Sequence, residues 1–234
     1  MAEMTDEVRR GVVAWIAKAI GGLVFMGALL FLAAGDWGWV EAWVFLGLFA
    51  AASVVHVLIL TPTNPALLAA RSRGIREPGG KAWDRAITSA AVGLLPLAAW
   101  LIAALQVRFD WAPSVAPAIQ VLGGVGFAAG WALVLWATYT NRFFSTTVHI
   151  HEGQSVQTGG PYRYVRHPGY VGAIVYQLGT PLLLGSWWAL IPMALTVPLL
   201  VLRTLLEDRM LQAELKGYSE YARQVRYRLL PGVW

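Results

Sequence analysis

The chain has 234 residues, of which 57% are hydrophobic and only 13% are charged. An ordinary soluble domain carries about 25% charged residues, so this composition excludes a soluble protein unless much of the surface faces lipid. The 12 Trp residues agree with this, because Trp favours membrane–water interfaces. The net charge is +5, but the basic residues lie between apolar runs rather than in one stripe, which argues against a nucleic-acid partner. The chain has no Cys, which excludes disulfides and thiolate metal sites.

The apolar runs predict an all-α, multi-pass transmembrane helical bundle. A helix needs about 20 apolar residues to cross the hydrocarbon of a bilayer. Six segments are candidates, and the fifth is short for a full crossing: 12–34, 39–60, 87–107, 116–140, 169–184 and 187–206. Pro96 lies near the middle of the third segment and predicts a kink. The last two segments are separated only by Gly185 and Ser186, which predicts a tight helical hairpin.

The distribution of basic residues predicts the orientation of these spans. Lys and Arg are enriched in cytoplasmic loops. Here they precede the first span, fill the loops after the second and fourth spans, and follow the last span. Among the basic residues, only Arg108 is predicted to lie on the opposite side. An even number of spans with both termini in the cytoplasm satisfies this distribution, in the plasma membrane of a prokaryote or the endoplasmic reticulum of a eukaryote.

Polar residues are concentrated in two stretches on the predicted cytoplasmic side, residues 141–170 and 203–234. The first stretch contains His149 and His151, which predict a polar loop rather than a metal site because no third ligand has suitable spacing. It leads to His167 and Pro168, and Pro in the first turn is typical of a helix start. We interpret His167, beside this helix start and close to two Tyr residues, as the functional histidine.

The second stretch begins with Arg203 and Glu207, which are four residues apart and so share one helix face. Ionisable groups at a membrane boundary are costly unless they are paired or hydrated, which makes a functional site the first hypothesis. A structural ion pair between Arg203 and Glu207 explains the spacing equally well.

Three ordered motifs in about the last hundred residues resemble those of the isoprenylcysteine carboxyl methyltransferase and phospholipid methyltransferase superfamily. They are Gly-Pro-Tyr-Arg-Tyr-Val-Arg-His-Pro-Gly-Tyr-Val-Gly at 160–172, Arg203-x-x-x-Glu207-Asp208-x-x-Leu211, and Gly217-Tyr218-x-x-Tyr221 followed by Val225-Arg226 ahead of Pro231. The front half of the chain matches none of the family's motifs. We therefore divide the chain into four N-terminal spans, 1–140, and a catalytic region, 141–234, that holds the helical hairpin and a cytoplasmic C-terminal segment.

The resemblance implies S-adenosylmethionine as methyl donor, without a metal. The positions that match the family's cofactor-binding residues are Gln154, Ser155, Val156, Gln157, Tyr162, His167, Pro168, Gly169, Tyr170 and Glu207. It also implies that Arg203 binds the acceptor and that His167 and Tyr170 lie at the reacting centre. The family usually has a second Glu where this chain has Asp208, and a Phe where it has Lys216.

The implied acceptor is a lipophilic small molecule or a lipidated substrate that enters from the membrane lipids. We favour carboxyl O-methylation of an isoprenylcysteine-like substrate, because its carboxylate could be held bidentately by Arg203 and needs no general base. Phospholipid N-methylation is the alternative, and an amine acceptor needs a base or a water path. Two further hypotheses are a sterol-reductase-like membrane oxidoreductase and a non-enzymatic transporter or scaffold.

Overall fold

The computed structural model describes residues 4–234, and the described residues form helices and loops without a β-strand. The helices are α1 (Asp6–Ala34), α2 (Val40–Thr63), α3 (Pro65–Arg71), α4 (Ala82–Thr88), α5 (Leu95–Phe109), α6 (Pro117–Thr140), α7 (Pro168–Leu183), α8 (Leu190–Glu214) and α9 (Tyr218–Gln224). Short 3-10 turns occur at Gly74–Arg76 and Gly160–Arg163.

Five helical segments are long and apolar enough to cross a membrane: Asp6–Ala34, Val40–Thr63, Ala82–Phe109, Pro117–Thr140 and Leu190–Glu214. Large apolar side chains cover their outer surfaces, among them Val24, Leu32 and Leu58, each 67% exposed. Such a surface is stable only against lipid. The structure therefore confirms the all-α, multi-pass bundle. The predicted fifth span corresponds to α7, which has 16 residues.

The third segment contains an irregular turn close to the predicted kink. Residues Ser89–Leu94 form a π turn between α4 and α5, and Pro96 follows in the first turn of α5. A proline has no N–H to donate and its ring displaces the preceding turn. The wider π turn is a common way for a helix to accommodate such a break.

The helix α8 continues eight residues beyond the predicted end at 206, to Glu214. Hydropathy falls after residue 206, so a prediction from apolar residues alone ended the helix too early. Asp208 at the start of these additional turns, and Arg203 one turn before them, both have buried partners, which stabilise this part of the helix. These turns carry the polar motif away from the apolar part of the bundle.

Helices α6 and α7 pack with their backbones in close contact. A Cβ atom added to Gly130 would lie 2.5 Å from the backbone nitrogen of Tyr176, and one on Gly172 would lie 2.6 Å from the carbonyl oxygen of Gly130. About two turns away along both helices, Gly123 of α6 and Gly179 of α7 are in equally close contact. Small residues at such spacing let transmembrane helices approach closely. This contact fixes α7, and with it the start of the polar motif, against α6.

Candidate active site

One cavity of about 400 Å³ runs from the apolar bundle into the polar end of the molecule. Its apolar part is lined by side chains of α2, α5, α6 and α8, including Phe45, Phe49, Trp100, Phe127, Trp131 and Met193. Its polar part is lined by the loop after α6, the start of α7 and the later turns of α8. A molecule with an apolar tail and a polar group could therefore be enclosed along its whole length.

Every residue that the sequence predicted for the site lines this cavity except one. The lining residues are Gln154, Ser155, Val156, Gln157, Tyr162, His167, Gly169, Tyr170, Arg203 and Glu207. Pro168 begins α7 but does not line the cavity. Its neighbour Gly169 lies so close to the ring of Phe144 that a Cβ there would be 2.4 Å from it. The predicted residues are thus brought together, while Pro168 shapes the helix start.

Glu207 and Tyr170 form the centre of the polar part. The Tyr170 hydroxyl donates a short hydrogen bond to Oε2 of Glu207. Within the described chain, Glu207 makes no ion pair, so its carboxylate can accept hydrogen bonds from a ligand. The guanidinium of Arg203 lies over the ring of Tyr170, 5.2 Å from its centroid. Positive charge above the ring and a carboxylate at its hydroxyl hold Tyr170 in one orientation.

Residues 154–157 form a loop, and the side chains of Gln154 and Gln157 make hydrogen bonds to backbone groups in and beside it. Oε1 of Gln154 accepts from the backbone N–H of His151 at 2.8 Å. The amide of Gln157 donates to the carbonyl of Thr140 at the end of α6 and accepts from the backbone of Gly159. Ser155 is exposed. These contacts fix the loop along the cavity edge and leave its backbone groups as the atoms that could meet a ligand.

Tyr162 belongs to the 3-10 turn and is buried beside the cavity. Asn141 donates to its hydroxyl at 3.4 Å, and the Tyr221 hydroxyl donates to its carbonyl at 2.7 Å. Burial raises the pKa of Tyr162 above its ordinary value, because an ionised phenol loses its hydration there. Both hydroxyls therefore stay protonated at neutral pH and can donate hydrogen bonds.

Asp208 is the most completely surrounded charge beside the site. Its side chain has no solvent exposure, and it receives both Nε (2.8 Å) and Nη2 (3.0 Å) of Arg166. Nε of Arg228 lies 2.9 Å from the second oxygen, and the Tyr218 hydroxyl donates at 3.0 Å. Nε2 of His167 is 3.3 Å from the same carboxylate. Asp208 and these partners, the Asp208 cluster, join α8 to the start of α7 and to the C-terminal segment.

The interpretation of Arg203 and Glu207 as an ion pair is wrong. Nε of Arg203 lies 2.6 Å from Oδ1 of Asp84, which is fully buried on α4. Nη2 of Arg203 donates to the carbonyl of Thr146 at 2.8 Å, and the second oxygen of Asp84 accepts from the backbone of Val148. The helix spacing put Arg203 and Glu207 on one face, but Asp84 is the closer and more buried partner. Arg203 is therefore committed to holding the loop after α6.

The rings of His149 and His151 lie close together, with centroids 4.1 Å apart. Burial lowers the pKa of His151, and the neighbouring His149 lowers it further. Among the described residues, no three His, Cys, Asp or Glu side chains are grouped so that they could hold a metal ion. The two residues belong to the loop between α6 and α7.

The fold and the cavity define a membrane protein whose candidate site has a polar part and an apolar part. The sequence pattern of the phospholipid methyltransferase family matches residues 118–216, which run from the start of α6 past the end of α8 and contain the site. The match covers less than half of the chain, and it confirms that this region resembles the superfamily of integral membrane methyltransferases that includes this family and the isoprenylcysteine carboxyl methyltransferases. Comparison with curated proteins gives no match.

Sequence reasoning missed three residues of the site. Asp84 partners Arg203 from a helix 119 residues earlier, Arg166 neutralises Asp208, and Arg71 lines the cavity. The sequence did mark Asp84 as a candidate for a charge pair. It is an acidic residue among the basic residues that follow the second span, and it adjoins an apolar run. Its partner could not be chosen from the sequence, since several other Arg residues lie much closer to it along the chain than Arg203 does.

Substitution of Asp208 by Asn should strongly destabilise the protein. The change leaves the buried guanidinium of Arg166 without its counter-ion, and breaking a buried pair costs about 3–5 kcal/mol. Thermal unfolding in detergent measures this cost. Glu214→Gln is the matched control, because Glu214 pairs with Lys81 at the surface, where an ion pair contributes at most about 1 kcal/mol. Equal melting temperatures for the two variants would contradict the structural role of Asp208.

Proposed function

We propose that the chain transfers a methyl group from S-adenosylmethionine to a lipophilic acceptor that enters from the membrane. The observation that carries the proposal is the continuity of the cavity: an unpaired carboxylate, Glu207, faces the same space as the apolar walls of α2 and α6. A water-soluble donor and a membrane-soluble acceptor could meet only in such a place. The match to the phospholipid methyltransferase family supports the same reaction.

The residues at the polar end suit this donor. When bound, S-adenosylmethionine supplies a methyl group activated by a positive sulfur. Glu207 offers a carboxylate that can accept from an ammonium group or from ribose hydroxyls. Tyr162, Tyr170 and Tyr218 line the cavity with aromatic rings, and such rings attract a nearby cation by about 0.5–2 kcal/mol. These groups bind and align, which is the main contribution an enzyme can make to a displacement of this kind.

Two chemical classes of acceptor agree with the site. A carboxylate needs only alignment with the donor, because it already carries the electron pair that forms the new bond. A phospholipid amine must first lose a proton, and Glu207 is the carboxylate within reach of the cavity that could receive it. The preference for a carboxylate depended on a bidentate contact with Arg203, and that guanidinium is already bound to Asp84 and Thr146. The family match supports a lipid acceptor and agrees with either class.

The assignment of Glu207 is tested by ligand-induced thermal stabilisation in detergent. S-adenosylhomocysteine, the donor's product, should stabilise the wild type, and Glu207→Gln should weaken its binding about tenfold or more, the loss expected for hydrogen bonds to a charged group. Glu214→Gln, seven residues further along α8, should bind normally. Near-normal affinity in Glu207→Gln would contradict the assignment. Stabilisation of the wild type by NADPH instead would favour the reductase hypothesis.

We further propose that the polar end of the molecule faces the cytoplasm, where the donor is made, so that both termini lie on that side. The Arg residues of the Asp208 cluster and of the loop after α2 lie at this end, whereas Arg108 lies at the opposite end, near the carbonyls that end α1. The positive-inside rule supports this orientation. The division into 1–140 and 141–234 remains our proposal for which part carries the catalytic residues.

The absence of Cys permits a direct test of this orientation. Ser219 lies in α9 at the polar end and Ser114 lies in the loop before α6, and both are exposed. In intact cells, a membrane-impermeant maleimide should label Ser114→Cys and should label Ser219→Cys only after the membrane is opened. The reverse pattern would contradict the orientation. Labelling of both variants in intact cells would contradict a polar end that faces the cytoplasm.

A further inference from the structure

The side chain of Arg71 brings a positive charge into the cavity without a carboxylate to neutralise it. Arg71 is the last residue of α3 and lines the cavity. Nη1 donates to the carbonyl of Phe144 at 2.9 Å, and the guanidinium lies 5.5 Å from the centre of the Phe144 ring. Its buried Nε has no hydrogen-bond partner. In the described part of the chain, no carboxylate lies within 4 Å of it; Glu77 acts on it from further away.

The other two Arg residues that line the cavity are neutralised. Arg166 is paired with Asp208 at 2.8 Å, and Arg203 with Asp84 at 2.6 Å. Burial lowers the pKa of Arg71 to about 10, although Glu77 opposes this shift. The guanidinium therefore stays charged at neutral pH. A partly buried charge without a close counter-ion is costly, and such a group in a cavity is a candidate for binding a ligand of opposite charge.

Unpartnered polar groups continue from Arg71 into the apolar part of the cavity. Gln177 on α7 is 1% exposed, and neither its amide nitrogen nor its amide oxygen has a hydrogen-bond partner. The indole N–H groups of Trp131 and Trp100 and the hydroxyl of Thr88 are buried without partners as well. All four residues line the same cavity. Buried polar atoms are nearly always hydrogen-bonded, so this group also indicates a ligand with oxygen atoms.

We propose that Arg71 binds an oxyanion of the acceptor, either a phosphate or a carboxylate, with Gln177 and Trp131 donating to neighbouring oxygens. This inference rests on the proposed function and names the class of acceptor: an anionic amphiphile. The phenylalanine and tryptophan walls of α2 and α6 would enclose its tail. Arg203, whose charge is held by Asp84, then positions the loop around the acceptor and does not carry its negative charge.

The test measures binding of three probes in detergent to the full-length protein. They are dodecyl phosphate, a prenylated thioether carboxylic acid, and the uncharged methyl ester of that acid. The wild type should be stabilised by at least one of the two anions and much less by the ester. Arg71→Gln should weaken binding of that anion about tenfold or more. Arg73→Gln is the matched control, because Arg73 is exposed and its one ion pair within residues 4–234 is with exposed Glu7.

The phosphate and carboxylate arms identify the source of the anion, because the preferred probe indicates a phospholipid or an isoprenylcysteine-like acceptor. Binding of both anions that is equal in Arg71→Gln and wild type would overturn the proposal. So would a loss of S-adenosylhomocysteine binding alone, since Arg71 would then serve the donor's carboxylate. If Arg71→Gln does not fold, Arg71→Lys, which keeps the charge, must retain binding of the anion over the ester.

Failure of this inference is separate from failure of the proposed function. If S-adenosylhomocysteine does not bind the wild type while the anion binds in an Arg71-dependent way, the oxyanion site stands and the methyl donor is wrong. If S-adenosylhomocysteine binds and the anionic probes do not bind the wild type, the donor stands and the oxyanion site is wrong.

Discussion

The buried carboxylate of Asp208 is the group on which the polar end of this molecule depends. Two guanidinium groups, from Arg166 and Arg228, neutralise it, and they belong to segments that precede α7 and follow α9. Arg166 also donates to the carbonyls of Val225 and Arg226. One charge thus joins three separate parts of the chain. Since successive helix residues point about 100° apart, the same turn of α8 presents Glu207 to the cavity.

A second buried pair, Arg203 with Asp84, joins α8 to α4 and fixes the loop after α6 through the backbone of Thr146 and Val148. The two pairs lie on either side of the cavity's polar part. A rigid frame of this kind suits a reaction in which the protein mainly aligns two molecules. Arg71 differs from both pairs, because its charge is left for a ligand.

The sequence predicted the bundle well because hydropathy is a local property: the spans 39–60 and 116–140 agree with the helices to within a few residues. The site residues that the motifs predicted all line one cavity, with Pro168 as the exception, and their binding roles stay predictions. The charge partners were not predictable, because pairing depends on which helices pack together. Arg203 and Glu207 shared a face, yet the partner of Arg203 lies on α4. Likewise, nothing local distinguished Arg71, which is partly buried at the end of α3, from the exposed Arg73 two residues later.

If one cavity brings a soluble methyl donor to a membrane acceptor, methyl transfer should be measurable with the purified protein. Purified protein in bilayers is given S-adenosylmethionine with a labelled methyl group, membrane lipids and a prenylated thiol carboxylic acid. We expect label in the organic extract, released by mild base from a methyl ester but retained on an amine. We expect little label with Glu207→Gln. No transfer by a wild type that binds S-adenosylhomocysteine, or equal transfer by the variant, would contradict this expectation.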